Sequence, residues 1–296
     1  MNKNNFLVLG LAFLLAVLML APSGGGTKKQ LIASVSSVQE APLPPAVEAQ
    51  SALAYDIVSG KILFEKNKND PRGLASLTKI VSALTIIEKL GTEEEVAISK
   101  RAVLTEGLSG FLVGEHFRVR ELLAFVMVES SNDAVEALVE YLAGKNGVAP
   151  ESADAWFLNL MRDEAQLLGA GGMMFYNPTG LDIDSNVGAI GSAEDLMNIV
   201  KASLGSELWQ FGNVLEVVSL EGKVHKLKPT NILGSKLNLL MGGKTGFTDI
   251  AGGNLLVIVQ HPLGHPIAIV VLGSSETGRF EDVKKILEYI RALQSF

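Results

Sequence analysis

The chain has 296 residues, of which 48% are hydrophobic and 19% are charged, so it can bury a sizeable core and does not have a disordered composition. Its net charge of −7 at pH 7 argues against nucleic acid as a partner. It contains no cysteine, which excludes disulfides and thiolate metal sites. We expect neither a metal nor a cofactor.

Residues 1–21 are predicted to be a signal peptide or an N-terminal membrane anchor. Lys3 precedes an unbroken apolar run from Phe6 to Ala21. The run is shorter than the ~20 residues that a spanning helix needs, and the residues around Ala21 are only a fair match to a cleavage site. A buried core helix is less favoured, because nothing nearby would cover it. The segment therefore predicts export, followed by tethering to the cytoplasmic membrane or by release after cleavage.

Residues 22–50 are predicted to be a flexible linker. They are rich in Pro, Gly, Ser and Ala, and Pro42, Pro44 and Pro45 lie close together. As a flexible coil, this segment would hold its ends roughly 30 Å apart. A tethered domain would then work at some distance above a membrane surface.

The catalytic domain is predicted to span residues 51–296 and to begin with two strands, Ser51 to Tyr55 and Lys61 to Glu65. Ser76 to Leu90 has the pattern of a helix that is apolar on most faces, which is typical of a central, buried helix. A helical subdomain is expected over about residues 91–205. Its predicted helices are Glu121 to Val128, Asp133 to Leu142, Asp154 to Leu168, and Ser192 to Ser203 with Ser192 as the N-cap.

Strands return in the last third of the chain, where segments rich in Val, Ile and Leu are typical of a sheet. The predicted strands are Val214 to Leu220, Lys223 to Leu227, Leu255 to Gln260 and Ile267 to Gly273. A helix from Arg279 to Leu293 ends the pattern. Strands at both ends and helices in the middle predict an α+β fold, in which a largely antiparallel sheet is covered by the first and last helices.

The first candidate motif is Ser76-Leu77-Thr78-Lys79. Residues three apart share a face of a helix, with Cβ atoms roughly 5–6 Å apart, so the lysine amine can reach the serine hydroxyl. A serine becomes a nucleophile when a base removes its proton, and lysine is such a base when burial or a second cation keeps it neutral. The alternative is an N-capping serine followed by an ordinary surface lysine.

The second candidate motif is Ser130-Ser131-Asn132, which interrupts an otherwise apolar stretch. Polar residues in such a place either cap the following helix or face a pocket. Capping is favoured by the acidic residues Asp133 and Glu136 in the next turn. A pocket would give Ser130 and Asn132 roles in proton transfer and in binding a substrate amide. The residues alone leave both interpretations open.

The third candidate motif is Lys244-Thr245-Gly246. A phosphate-binding loop is one interpretation, but that pattern requires glycine at the position of Asn238 and should open a helix, whereas a strand-like segment follows here. On a strand edge, Lys244 and Thr245 would alternate with backbone groups that can pair with a bound peptide, and Gly246 would allow close access.

Together, these motifs resemble those of the serine D-alanyl-D-alanine carboxypeptidases, the low-molecular-mass penicillin-binding proteins. The likeness covers roughly residues 51–293 and includes the segments Tyr176 to Leu181, Thr230-Asn231 and Gly278-Arg279. A proline commonly precedes the family's first motif, where this chain has Gly73-Leu74. The resemblance implies a β-lactamase/transpeptidase-like fold, with an antiparallel sheet flanked by helices and an all-helical subdomain.

The resemblance also implies the roles of the catalytic residues. Ser76 would be the acylated nucleophile and Lys79 its general base. Ser130 would relay a proton to the leaving amine, and Asn132 would bind the substrate's backbone amide. The oxyanion hole would consist of the backbone N–H groups of Ser76 and Phe247.

Substrate binding is assigned in the same way. The substrate would be a peptidoglycan stem peptide ending in D-Ala-D-Ala, and β-lactam antibiotics would acylate the same serine. The terminal carboxylate would be held by Lys244, Thr245 and Arg279, beside Gly246. A free carboxylate in a partly dry cleft needs such cationic or hydroxyl partners.

Three other functions share features with this pattern. A class A β-lactamase shares the three motifs, but it needs a deacylating glutamate where this chain has Ala155, ahead of Leu158-Asn159. A D,D-endopeptidase that cuts peptidoglycan cross-links would use the same residues, and the sequence does not separate it from a carboxypeptidase. A non-catalytic wall-binding relative is disfavoured, because Ser76 and Lys79 are both present.

Overall fold

The computed structural model describes residues 42–105, 109–234, 240–260 and 264–293. The predicted targeting segment, residues 1–21, lies outside the described residues, and so do residues 22–41 of the predicted linker. No helix within the described ranges combines the length and the apolar character that a membrane crossing requires.

The strands of the described residues form one large sheet and three small ones. In chain order they are β1 (Ser51–Asp56), β2 (Ile62–Lys66), β3 (Arg72–Gly73), β4 (Glu95–Ala97), β5 (His116–Arg118), β6 (Met174–Phe175), β7 (Ala189–Gly191), β8 (Glu216–Val218), β9 (Val224–Lys226), β10 (Leu240–Thr248), β11 (Gly252–Gln260) and β12 (Pro266–Ser274).

The helices lie mostly between β3 and β8. They are α1 (Thr78–Lys89), α2 (Lys100–Val103), α3 (Val119–Val128), α4 (Asn132–Lys145), α5 (Ala153–Leu167), α6 (Ala193–Ser203), α7 (Leu208–Phe211) and α8 (Gly278–Leu293). Short 3₁₀ turns at Ala75–Leu77 and Pro150–Ser152 precede α1 and α5.

The large sheet has the strand order β10-β11-β12-β1-β2, and every neighbouring pair is antiparallel. Both of its faces are buried, since alternate residues of a strand point to opposite sides. In β12, Ile267, Ile269 and Val271 belong to the core under α8, whereas Ala268 and Val270 belong to the core shared with the helices. The predicted α+β fold with an antiparallel sheet is therefore confirmed.

Helix α1 runs through the centre of the helical part of the molecule. Nine of its residues, from Thr78 to Ile86, are buried. It packs against α3, α4 and α5. The sequence prediction of a central helix is confirmed, although its first turn is a 3₁₀ turn at residues 75–77.

Most predicted boundaries agree with the structure within a few residues, and the N-cap of α6 is as predicted. Ser192 Oγ accepts from the backbone N–H of Asp195 (3.0 Å), and the Asp195 carboxylate accepts from the N–H of Ser192 (2.9 Å). The largest shortening affects β8, which keeps three residues, as does its partner β9. They form a two-stranded hairpin in which Val218 and Val224 are largely exposed, so little burial supports longer strands.

The segment before β1 is fastened to α8 by a buried carboxylate. The Asp282 carboxylate accepts from the backbone N–H groups of Glu48 and Ala49 and from Ser274 Oγ, each at 2.8 Å. The part of the chain that packs against the domain therefore begins before Ser51 and includes Glu48 and Ala49.

We expect Asp282→Ala to lower the free energy of unfolding by about 3 kcal/mol, because the N–H groups of Glu48 and Ala49 and the Ser274 hydroxyl would lose their acceptor. Urea denaturation measures this change. Glu288→Ala is the matched control, since Glu288 is exposed on the same helix and should shift stability by no more than about 0.5 kcal/mol. Equal effects of the two substitutions would contradict a fastening role for Asp282.

Candidate active site

Ser76 lies in the 3₁₀ turn that leads into α1. Its neighbours Ala75 and Leu77 are buried, whereas Ser76 itself is half-buried. Ala75 has φ of +46°, a left-handed conformation that costs a residue with a side chain about 1 kcal/mol or more. This tight turn places the Ser76 hydroxyl at the N-terminal end of α1, a helix that is otherwise mostly buried.

Lys79 is fully buried one turn further along, and its amine lies beside Ser76. Lys79 Nζ donates to Ser76 Oγ (2.9 Å) and to the carbonyl oxygen of Thr179 (2.7 Å). Burial lowers the pKa of Lys79 from 10.5 to about 7, because the charged amine loses its hydration. A large share of the amine is thus neutral at pH 7, and its lone pair can take the Ser76 proton.

The loop at residues 177–180 holds the Thr179 carbonyl against Lys79. Asn177 Oδ1 accepts from the N–H groups of Thr179 (3.1 Å) and Gly180 (2.6 Å), which closes a tight Asx turn. Gly180 has φ of +79°, and a Cβ there would lie 2.0 Å from Ala75 O. Only glycine lets this loop approach the Ser76 turn so closely.

Ser130 lies between α3 and α4 with φ of +62°, and its Oγ accepts from Lys244 Nζ at 2.8 Å. The cap of α4 is Ser131, whose Oγ accepts from the N–H of Ala134 at 2.9 Å. The sequence left open whether this motif caps a helix or faces a pocket. In the structure Ser131 caps α4, whereas Ser130 contacts Lys244. Asn132 is the first residue of α4 and is mostly buried.

Strand β10 carries the third motif along the edge of the large sheet. Lys244 is buried, and its Nζ also donates to Thr245 O (2.9 Å). Burial holds the pKa of Lys244 well below its usual value, and the positive charges of Lys79 and Arg279 add to this effect.

Gly246 is the point where β10 contacts the turn that holds Ser76. A Cβ built on Gly246 would lie 2.8 Å from Leu74 O and 3.1 Å from Ser76 N. The glycine is thus required by the approach of this turn, in addition to any approach of a substrate. It places β10 against the backbone of Ser76 at the residue before Phe247.

Arg279 reaches the same region from the first turn of α8. It is 7% exposed, and its Nη1 donates to Gly246 O at 2.6 Å. Its guanidinium lies over the rings of Phe247 (5.9 Å) and Phe280 (4.8 Å). The structure therefore brings the side chains of Lys79, Lys244 and Arg279 close together, and the positive charge of Arg279 favours an anionic ligand there.

Thr245 is also buried, and its Oγ1 lies 2.7 Å from Thr230 Oγ1. Two participants in this site were missed as functional groups by the sequence analysis, the Thr179 carbonyl and the Thr230 hydroxyl. The Asn-Pro-Thr-Gly turn was a local signal for the first.

No group of three or more His, Asp or Glu side chains in the described part of the chain is placed to hold a metal ion.

A family model described as D-alanyl-D-alanine carboxypeptidase, peptidase family S11, matches residues 37–276. The chain belongs to this family. It is 31% identical over 253 residues to the D-alanyl-D-alanine carboxypeptidase DacF of Bacillus subtilis, an alignment that covers 82% of this chain and 62% of the relative. It is also 27% identical over 263 residues to a D-alanyl-D-alanine endopeptidase of Pseudomonas aeruginosa, covering 86% of this chain and 80% of the relative.

Solved structures of penicillin-binding proteins share the fold. The Streptomyces K15 DD-transpeptidase aligns with a TM-score of 0.75 at 25% identity, covering 85% of this chain and all of that one. Ampicillin-bound penicillin-binding protein D2 of Listeria monocytogenes aligns with a TM-score of 0.69 at 26% identity, covering 82% of this chain and 97% of that one. By contrast, the chain spans about three fifths of the length of the carboxypeptidases that it matches.

Replacing Lys79 by methionine tests whether burial of the amine lowers the stability of the folded protein. Because the pKa is about 7 in the folded protein and 10.5 ordinarily, the unfolded chain holds a proton between these pH values that the folded protein releases. Stability therefore rises with pH across this window. We expect Lys79→Met to be more stable than the wild type at pH 7, and this gain to shrink by about 2 kcal/mol by pH 9.

Denaturant unfolding at the two pH values measures this gain. Lys89→Met, at an exposed position on the same helix, is the control and should show no gain that depends on pH in this way. A gain of equal size at pH 7 and pH 9 would contradict the lowered pKa of Lys79.

Proposed function

We propose that the protein is a serine D,D-carboxypeptidase that removes the terminal D-alanine from peptidoglycan stem peptides through an acyl-enzyme. The observation that carries the proposal is the 2.9 Å contact between Ser76 Oγ and the buried amine of Lys79. Membership of the carboxypeptidase family supports it. The same serine would be acylated covalently by β-lactams, as the ampicillin-bound relative suggests.

Acylation begins when neutral Lys79 takes the Ser76 proton and Ser76 Oγ attacks the carbonyl carbon of the penultimate D-alanine. The oxyanion that forms would be stabilised by the N–H groups of Ser76, which lies next to Gly246, and of Phe247, which follows Gly246 in β10. The C–N bond then breaks, and Ser130 delivers its proton to the leaving amine and recovers one from the Lys79 ammonium, which becomes neutral again. Water hydrolyses the resulting ester, which releases the shortened peptide and returns a proton to Ser76.

The leaving residue would be recognised by its free carboxylate. Lys244, Thr245 and Arg279 lie close to Gly246, and the Lys244 amine already contacts the proposed relay Ser130. A carboxylate placed there would be paired in surroundings of low polarity, where such pairing is strong. Asn132 would bind the backbone amide of the acyl part of the substrate.

A D,D-endopeptidase that cuts cross-links is the second candidate. The alignment with the Pseudomonas endopeptidase covers 80% of that relative, compared with 62% for the Bacillus carboxypeptidase. Both reactions would use the same acyl-enzyme, and they differ in the amine that leaves. Either function places the enzyme outside the cytoplasm, where residues 1–21 would target it as a signal peptide or membrane anchor. The linker predicted for residues 22–50, whose end at Glu48 and Ala49 is bonded to α8, would join that segment to the catalytic domain.

Labelled penicillin tests the acyl-enzyme. Wild-type protein should carry one covalent label after denaturing electrophoresis, and Ser76→Ala should carry none, because the acylated oxygen is gone. Ser59→Ala, at an exposed position in the turn between β1 and β2, is the control and should label like the wild type. Wild-type protein that takes up no label would overturn the proposal.

Product analysis separates the two reactions with the same protein preparations. Free D-alanine released from a pentapeptide ending in D-Ala-D-Ala indicates a carboxypeptidase. Splitting of a cross-linked peptide dimer without such release indicates an endopeptidase. Ser76→Ala should do neither.

A further inference from the structure

Thr230 connects the end of α3 to the third motif. Its Oγ1 donates to Val128 O at 3.1 Å and lies 2.7 Å from Thr245 Oγ1. Its backbone N–H donates to the same Val128 oxygen at 3.0 Å. Nearby, the N–H of Lys228 donates to the Glu129 carboxylate at 2.7 Å. Two hydrogen bonds to Val128 O therefore hold Thr230 next to Thr245.

The turn after α3 thus contacts two consecutive residues of β10. Ser130 Oγ meets the Lys244 amine at 2.8 Å, and Val128 O meets Thr245 through the Thr230 hydroxyl. The first contact joins two groups with proposed roles in the reaction. The second contact contains Thr230, which takes no part in the proposed reaction steps.

The number of hydroxyl protons determines which of the two threonines donates the hydrogen bond between them. Each hydroxyl has one proton to donate. While Thr230 donates to Val128 O, the short contact between the two threonines requires Thr245 to donate to Thr230. The Thr245 hydroxyl then has no proton left for a ligand.

A bound carboxylate needs the opposite arrangement, because it accepts hydrogen bonds and donates none. Thr245 would turn its proton to the carboxylate, and Thr230 would turn its own proton to Thr245 Oγ1. Val128 O would still accept from the N–H of Thr230. Two rotations of hydroxyl groups thus convert one arrangement into the other without leaving a buried acceptor unpaired. In the second arrangement each bond polarises the next.

We propose that Thr230 is a positioning residue that supports Thr245 as a donor to the substrate's terminal carboxylate, and so favours substrates in which that carboxylate is free. This inference rests on the proposed function, because it takes the carboxylate as the group that Thr245 binds. It adds a residue that acts on selectivity through Thr245 and does not itself touch the substrate.

The test compares Thr230→Val with Thr230→Ser on two peptides. One peptide ends in D-Ala-D-Ala with a free carboxylate, and the other is its C-terminal amide. Valine keeps the shape of threonine and removes the hydroxyl, whereas serine keeps the hydroxyl. We expect Thr230→Val to lower kcat/KM about fivefold for the free acid and less than about twofold for the amide, and Thr230→Ser to keep the wild-type ratio.

Thermal unfolding of the variants is measured alongside, since a purely structural role would lower stability and affect both peptides equally. An equal loss on both peptides, or an unchanged ratio in Thr230→Val, overturns the inference while leaving the proposed function intact. Wild-type protein that cleaves neither peptide, releasing neither D-alanine from the acid nor D-alaninamide from the amide, overturns the carboxypeptidase function and this inference together.

Discussion

The site depends on one constraint, which is that the amine of Lys79 is kept out of water beside Ser76. A surface lysine is protonated near pH 7 and cannot accept a proton from serine. Here the helices around α1 remove its hydration, and its hydrogen bonds go to neutral oxygens of Ser76 and Thr179. The amine is oriented by these partners, and burial brings its pKa into the range where it can act as a base.

The chain also takes unusual backbone conformations around the site. Ala75 and Ser130 have positive φ although neither is glycine, and each lies next to or at a proposed catalytic serine. Gly180 and Gly246 supply the space in which the neighbouring backbones pack against the Ser76 turn. Such strain persists only where the surrounding structure holds it, and here the sheet and helix α1 do so.

Much of the fold followed from the sequence because its signals are local. The buried strands β11 and β12 are runs of Val, Ile and Leu, and α1 is apolar on most faces, so composition and periodicity were enough. Strand β10 was harder to predict, because its three glycines weaken any strand pattern. They are there to meet Trp209, Leu256 and the Ser76 turn, contacts that no local pattern contains.

The candidate site was predictable to the same degree. The pairing of Ser76 with Lys79 follows from helical spacing, and the structure places the two side chains in contact. The contacts of Lys79 with Thr179 and of Lys244 with Ser130 join residues that are 100 and 114 positions apart, which spacing alone does not predict. The three motifs indicated the chemistry, whereas the threonines and carbonyls that orient it required the folded structure.

The most direct measurement is the rate of acylation by labelled penicillin as a function of pH between 5 and 9. The base must be neutral to act, so the rate should follow the deprotonated fraction of Lys79. We expect it to rise about tenfold per pH unit below pH 7 and to level off above that value. A rate that does not vary across this range, or that keeps rising through pH 9, would contradict a buried, neutral lysine as the base.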